Sequence, residues 1–359
     1  MDPRGQPPDD QRPHADGVRA LQDLPRVREG APRGRRSLRA ALTGGTGFVG
    51  GHLAEALVAR GAAVAALVRS PSRAERLRAL GARLVSGDLE DEAALAALVR
   101  GRDVVFHVAG LVAAPSADAF LRANRDGARR VAAAARREGV ARFVLVSSLA
   151  VTGPSSPGAA VDERSGPGPL TAYGRSKKAG EEAVRESGVP LTIVRPPAVY
   201  GPFDRAFLTL FRAARLGVAP LLGSGDQAVT LVHARDLAAA LLAAATSDAT
   251  LGGVYHAGHE SPVTQRALAA AVGRAVGREV RCVRLPAPVV GATLRASGIA
   301  TRLLGGAPLL DGDKARELLA PGWVCSSAAL RRDAGWVAAT PLDDGLAETA
   351  RSYREAGWL

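Results

Sequence analysis

Tyr173-Gly174-Arg175-Ser176-Lys177 sets a phenol and an ammonium four residues apart. On a helix that spacing puts both side chains on one face. A tyrosine is a weak acid near neutrality, with a reference pKa of about 10. A nearby ammonium favours the phenolate and moves that pKa toward the range where proton transfer is efficient. The pair is expected to pass a proton to or from a substrate oxygen. An exposed tyrosine and lysine would be the plain alternative, but the chain holds only three lysines (Lys177, Lys178 and Lys314) and four tyrosines. Ser148 ends the run Phe143-Val144-Leu145-Val146-Ser147-Ser148. A hydroxyl at the carboxyl edge of a parallel strand can hold a reacting oxygen and stabilise its developing charge; it can equally be a strand-end cap.

A second constellation lies upstream. Thr43-Gly44-Gly45-Thr46-Gly47-Phe48-Val49-Gly50 follows a short apolar run and opens a helix. Gly44 permits the tight turn, Gly47 clears space where backbone must approach a pyrophosphate, and Gly50 lets the helix pack on the sheet. Thr46, Phe48 and Val49 belong to the same cofactor-binding turn, whose helix N-terminus faces the anion. Further on, Leu67-Val68-Arg69-Ser70-Pro71-Ser72-Arg73 lacks the carboxylate that would bond the ribose 2′-hydroxyl of NAD. Arg69 stands in its place and Arg73 follows at the first turn of the next helix, where guanidinium groups suit the 2′-phosphate of NADP. Arg is also this chain's default cation, so the missing carboxylate is the stronger half of the argument for NADP over NAD.

These groups need a frame. From residue 38, short β-rich runs alternate with Ala- and Leu-rich helical stretches, the pattern of βαβ units on a parallel sheet. Strands are expected at residues 39–42, 63–68, 82–86, 104–108, 143–147 and 191–194, and helices at 52–60, 72–80, 92–99, 124–138 and 176–187, each ending near a glycine. The fold class is α/β, a doubly wound parallel Rossmann sheet with a smaller, mostly C-terminal substrate-binding subdomain. Residues 1–37, rich in Pro, Gly, Arg and Asp, read as a disordered tail. The dinucleotide domain spans 38–201, with segments near 229–258 returning to it; 202–228 and 259–359 form the substrate-binding and C-terminal region.

The TGxxGxxG spacing at Thr43–Gly50 resembles the short-chain dehydrogenase/reductase superfamily. Other segments agree. Gly87-Asp88-Leu89 is similar to the stretch whose Asp contacts adenine, although an ordinary turn Asp would read the same. His107-Val108-Ala109-Gly110 is similar to the stretch beside the cofactor's ribose, with His107 itself structural. Asn124-Arg125-Asp126-Gly127 resembles the region where an Asn helps hold a water and the Lys; an N-cap is an equally good account of Asn124. Arg195-Pro196-Pro197-Ala198-Val199-Tyr200-Gly201-Pro202 is similar to the RPxxVYGP segment of the extended branch, which passes the nicotinamide. His233-Ala234-Arg235-Asp236 resembles a later segment and carries no catalytic role. The resemblance covers roughly residues 38–359 and implies Ser148, Tyr173, Lys177 and Asn124 as catalytic residues. For the cofactor it implies the glycine turn, Asp88, Leu89, Ala109, Tyr173, Lys177 and Pro196. It also implies a homodimer paired through helices.

Two departures narrow the function. Val151-Thr152-Gly153 stands where sugar-nucleotide epimerases of this branch have a VYG run, and Leu149-Ala150 replaces the acidic pair of the dehydratases. With Arg69, they lean toward the reductase, dihydroflavonol reductase-like and 3β-hydroxysteroid dehydrogenase-like members. The expected activity is NADP(H)-dependent interconversion of a secondary alcohol and a carbonyl on a largely apolar small molecule. A sugar-nucleotide epimerase using NAD(P) and a noncatalytic nucleotide-binding subunit are the alternatives.

Composition excludes other classes. The net charge of +12 comes from 47 basic and 35 acidic residues, spread along the chain, and aromatics are 4%. Nucleic-acid binders gather charge with interleaved aromatics, so no nucleic acid is expected. Cys282 and Cys325 show no metal or redox spacing, so no metal is expected and a reducing cytoplasm is the default. The longest weakly polar stretch, residues 285–310, is broken by Arg295 and Arg302. No stable membrane span is expected, which leaves interfacial contact open there.

Overall fold

The computed structural model describes residues 37–156, 158–303 and 312–359. The tail expected over residues 1–37 lies outside the described residues except for Ser37. The strands in chain order are β1 (Arg39–Thr43), β2 (Ala63–Val68), β3 (Arg83–Ser86), β4 (Val104–His107), β5 (Arg142–Val146), β6 (Leu191–Arg195), β7 (Ala198–Tyr200), β8 (Val218–Leu222), β9 (Ala228–Val229), β10 (Leu231–His233), β11 (Val254–His256), β12 (Val263–Thr264), β13 (Arg281–Leu285) and β14 (Gly322–Trp323). The helices are α1 (Phe48–Ala59), α2 (Glu75–Ala79), α3 (Glu92–Val99), α4 (Ala117–Leu121), α5 (Gly127–Arg137), α6 (Ala172–Glu186), α7 (Leu208–Arg215), α8 (Ala234–Thr246), α9 (Gln265–Val276), α10 (Ala287–Leu303), α11 (Gly312–Leu318), α12 (Ala328–Ala334) and α13 (Leu342–Glu355).

Seven strands form one sheet in the order β11-β6-β5-β4-β1-β2-β3, every pair parallel. Such a sheet is covered on both faces, which is why its strands read as nearly continuous apolar runs. The pleat sorts them. Ala40, Leu42, Val104, Phe106, Val144 and Val146 pack on one side with α1 and α8 residues such as Leu53 and Leu237. Ala41, Val105, Phe143 and Leu145 pack on the other with α3 and α5 residues such as Leu95 and Val131. The chain winds outward from β1 in one direction and from β4 in the other, so the order reverses between them. Ligands of open parallel sheets bind in the crevice at that reversal, beyond the carboxyl ends of the strands.

The returning segments divide. β11 joins the sheet beside β6, whereas β10 pairs with β7 off its edge. Beyond residue 201 the irregular stretches contain a pair that sequence patterning did not reveal, β8 with β13. Pro220 lies inside β8, and the partner strand lies far along the chain, so neither run carries a strand signature of its own. Among the described residues no helix is long and apolar enough to cross a membrane.

Candidate active site at the sheet's reversal point

The turn after β1 is built for close backbone approach. Gly44 has φ +74°, and a Cβ there would fall 2.6 Å from the Ala109 nitrogen. A Cβ on Gly50 would fall 2.1 Å from the Gly44 carbonyl oxygen. Only glycines let β1, the β4 end and α1 meet this way. Gly47 precedes α1 with no side-chain cap, and the first turn of α1 has no acidic residue. Its leading amides are thus without a resident side-chain acceptor and suit a phosphate. This cradle fits the pyrophosphate of a dinucleotide, with exposed Thr46 and half-buried Phe48 and Val49 at its rim.

Arg69 ends the path of β2 and is exposed, as is Arg73. Arg73 does not start a helix as expected; it sits in a 3-10 turn, Pro71–Arg73, and α2 begins at Glu75. Pro71 favours that tight turn and displaces the helix start. Asp88 is exposed, and its Oδ1 accepts from the amides of Glu90 (2.8 Å) and Asp91 (3.1 Å), so the turn role is real and one carboxylate oxygen remains for another donor. Leu89 packs where a Cβ on Gly127 would fall, 2.7 Å from its Cδ1. At the β4 end, Thr43 Oγ1 lies 2.8 Å from His107 Nδ1 and accepts from the Ala109 amide at 3.3 Å. Burial, reinforced by Lys177, pushes His107 down to about 3. It is a neutral structural residue, as expected.

Tyr173 and Lys177 lie on α6, whose start is fixed from two sides. Thr171 Oγ1 accepts from the Gly174 amide at 3.0 Å, and Asp313 Oδ2 of α11 accepts from the Ala172 amide at 2.6 Å. α6 thus begins at Ala172, a turn earlier than expected. Lys177 is 8% exposed and its Nζ donates to the Val146 carbonyl at 2.7 Å. Burial lowers it to about 8, against the opposing pull of Glu181. Tyr173 corrects the expectation from spacing. Its surroundings raise it to about 12 through burial, with a further push from Glu317 of α11; a hydrogen bond from Ser148 pulls the other way. The ammonium reaches the strand carbonyl rather than the phenol, so Tyr173 is held as a phenol.

The two serines of the β5 end part company. Ser147 is 4% exposed and donates to Glu181 Oε1 at 2.5 Å. Ser148 is half-buried, accepts from the Ala150 amide at 3.1 Å and reaches Tyr173. It is therefore both strand-end cap and neighbour of the phenol. Pro196 is buried beside it, its carbonyl accepting from the Leu149 amide at 2.9 Å.

Asn124 is not an N-cap. The chain is helical from Ala117 and passes through a π turn, Arg122–Asp126, before α5. Such turns often mark functional sites, because the extra residue turns a side chain off the helix face. Asn124 is 3% exposed. Its Oδ1 accepts from the Leu111 amide (2.8 Å), and its Nδ2 donates to the Leu111 carbonyl (3.0 Å) and to Ser176 Oγ (2.9 Å). A Cβ on Gly180 would fall 2.4 Å from the Asn124 carbonyl oxygen, so α6 and the π turn meet at backbone distance only because Gly180 is there.

A polar cluster beneath the site escaped sequence reasoning. Glu181, 1% exposed, is bidentate to Arg195, with 2.8 Å to Nε and 2.7 Å to Nη2. Arg195 Nη1 donates to Thr152 Oγ1 at 3.2 Å, and Thr152 Oγ1 lies 3.0 Å from His256 Nε2. The cluster ties β5, α6, β6 and β11 together. Its only sequence signal was a Glu four residues beyond Lys177, on the same helix face.

A glycine cradle at the reversal of a doubly wound sheet, with Ser, Tyr and Lys gathered at the neighbouring strand ends, defines an NAD(P)-dependent enzyme of the extended short-chain dehydrogenase/reductase type. The chain belongs to the NAD dependent epimerase/dehydratase family, whose model matches residues 40–258. It is 40% identical to a ceramide reductase of Caulobacter vibrioides, over 89% of this chain and 95% of that one. It is 30% identical to a 2-alkyl-3-oxoalkanoate reductase of Stenotrophomonas maltophilia, over 86% and 97%. Among solved structures, its fold is similar to a UDP-glucose 4-epimerase of Thermotoga maritima, with TM-score 0.72 and 21% identity over 89% of this chain and 99% of that one.

Proposed function

We propose that the protein is an NADP(H)-dependent reductase of a ketone carried on a hydrocarbon-bearing molecule. The reading rests on geometry: Tyr173 and Lys177 of α6 meet the end of β5, where Lys177 reaches the Val146 carbonyl and Ser148 follows the strand, beside the cradle. Tyr173 donates its proton to the carbonyl oxygen. Ser148 hydrogen-bonds the same oxygen and stabilises its developing charge. Lys177 orients the cofactor's ribose, and Asn124, fixed by Leu111 and Ser176, holds the wall beside it. When bound, NADPH supplies the hydride. Residues 38–201 serve the cofactor, and 202–228 with 259–359 the substrate.

The substrate class is supported by what the relatives act on. A ceramide and a 2-alkyl-3-oxoalkanoate both join a polar head to an alkyl chain. Val151-Thr152-Gly153 and Leu149-Ala150, which depart from the sugar-nucleotide patterns, point the same way.

Arg69 and Arg73 form the 2′-phosphate site. Charge-assisted hydrogen bonds contribute about 1.5–3 kcal/mol each. Replacing both by Ala is expected to weaken NADPH binding by roughly 10²–10⁴-fold and leave NADH binding nearly unchanged, as read by fluorescence titration. Tighter NADH than NADPH binding by the unaltered protein would remove this assignment.

A pH dependence follows from Lys177. Its ammonium is present below about 8 and lost above, whereas Tyr173, raised to about 12, stays protonated throughout. kcat/KM for NADPH reports groups of the free enzyme. It is expected to be level below pH 8 and to fall above it; a profile level to pH 10 would show that the charge on Lys177 is not used.

A further inference from the structure

α10 turns an uncharged apolar stripe to solvent. Val289 and Ile299 are 55% and 58% exposed, and Ala292, Thr293, Ala296 and Ala300 are exposed with them. At helical periodicity these residues fall within an arc of about 120°. The opposite side holds buried Val290 and half-buried Leu294, Ser297 and Thr301, so among the described residues the helix is seated on the protein by one face and unpartnered on the other. The strand that feeds it continues the pattern: Val283 is exposed, as is Val218 on the neighbouring β8.

The charge carried by β13 and α10 themselves is basic. Residues 280–310 contain no Asp or Glu and four arginines, at 281, 284, 295 and 302. Arg281, Arg284 and Arg295 are exposed, and no ion pair engages them among the described residues. A helix with an apolar outer stripe and basic flanks has the character of one that lies in a membrane interface.

We propose that α10 docks the protein on the surface of an anionic phospholipid bilayer, its apolar stripe among the acyl chains and its arginines at the phosphates. A second copy of the chain is a poorer occupant, because two such faces would bring Arg281, Arg284 and Arg295 against the same arginines of the copy. Val290 and Leu294 seat the helix on the protein, and among the described residues no helix is long and apolar enough to cross a membrane. The docked face lies one element from the site. A Cβ on Gly312, at the start of α11, would fall 3.4 Å from Arg295 Cγ, and Asp313 of α11 bonds the first amide of α6. A lipid-borne ketone would thus be met at the bilayer by the segment adjoining Tyr173. That consequence rests on the proposed reductase reading; the docking itself rests on α10.

The test is co-sedimentation of the full chain with phosphatidylcholine vesicles with and without phosphatidylglycerol. Expected is binding on the order of tenfold tighter to the anionic vesicles, weakened by salt. In the variant Val289→Glu with Ile299→Glu the binding should be lost, with the melting temperature and NADPH titration unchanged. Equal retention of wild type and variant by vesicles, or no binding of the wild type to either vesicle, overturns the proposal. So does light scattering that finds a wild-type dimer, dissociated by the two substitutions, without vesicle binding. Vesicle binding that persists although no ketone is reduced would uphold the docking and reject the reductase reading alone.

Discussion

Tyr173→Phe is expected to lower ketone turnover by roughly 10²–10⁴-fold, the range over which a positioned proton donor contributes. The substitution removes one oxygen, and the ring keeps its contact with Phe120, whose centroid lies 6.1 Å away. The loss should therefore appear in kcat with the fold intact. NADPH titration should be little changed, because the glycine cradle and Arg69 are untouched. A variant that retains more than a tenth of wild-type turnover would mean that the proton comes from elsewhere.

The largest effect on stability is expected at Glu181. Its carboxylate and the Arg195 guanidinium are 1% and 8% exposed, and removing one partner of such a pair leaves the other charge buried. Breaking a buried pair typically costs about 3–5 kcal/mol, against a total stability of about 5–15 kcal/mol for a domain. Glu181→Ala should lower the melting temperature on the order of 10 °C and loosen Ser147, Thr152 and the strands they join. Replacing the pair together, Glu181→Leu with Arg195→Met, should recover much of that loss, since apolar residues of similar volume remove both desolvation penalties. Calorimetry of the three proteins checks this. Equal destabilisation of the single and paired variants would show that packing, not charge, holds the cluster.

The parts legible in the sequence share a physical trait: their signal is local. Continuous apolar runs marked the strands of a sheet covered on both faces, and β2 is found where expected, at Ala63–Val68. The glycines after β1 announced a close backbone approach that Gly44 and Gly50 carry out. Where position depends on distant neighbours the sequence was silent. β8 and β13 form a parallel pair across the length of the C-terminal region. Asn124 is placed by a π turn, which inserts a residue into a helix without altering its apolar pattern. The i, i+4 spacing of Tyr173 and Lys177 established a shared face but not a charge contact. The ammonium is drawn to the Val146 carbonyl, an acceptor supplied by another element. Glu181 and Arg195 lie on a helix and a strand, and only packing reveals that they meet.

Reduction of a carbonyl at the expense of added NADPH is the activity proposed for this fold. The most direct measurement follows the absorbance of NADPH with a long-chain 3-oxo ester while the alcohol formed is quantified. The expected result is equal loss of NADPH and gain of alcohol, abolished by Tyr173→Phe. Protein that purifies with nicotinamide bound, consumes no added NADPH and interconverts a nucleotide sugar instead would be an epimerase and not a reductase.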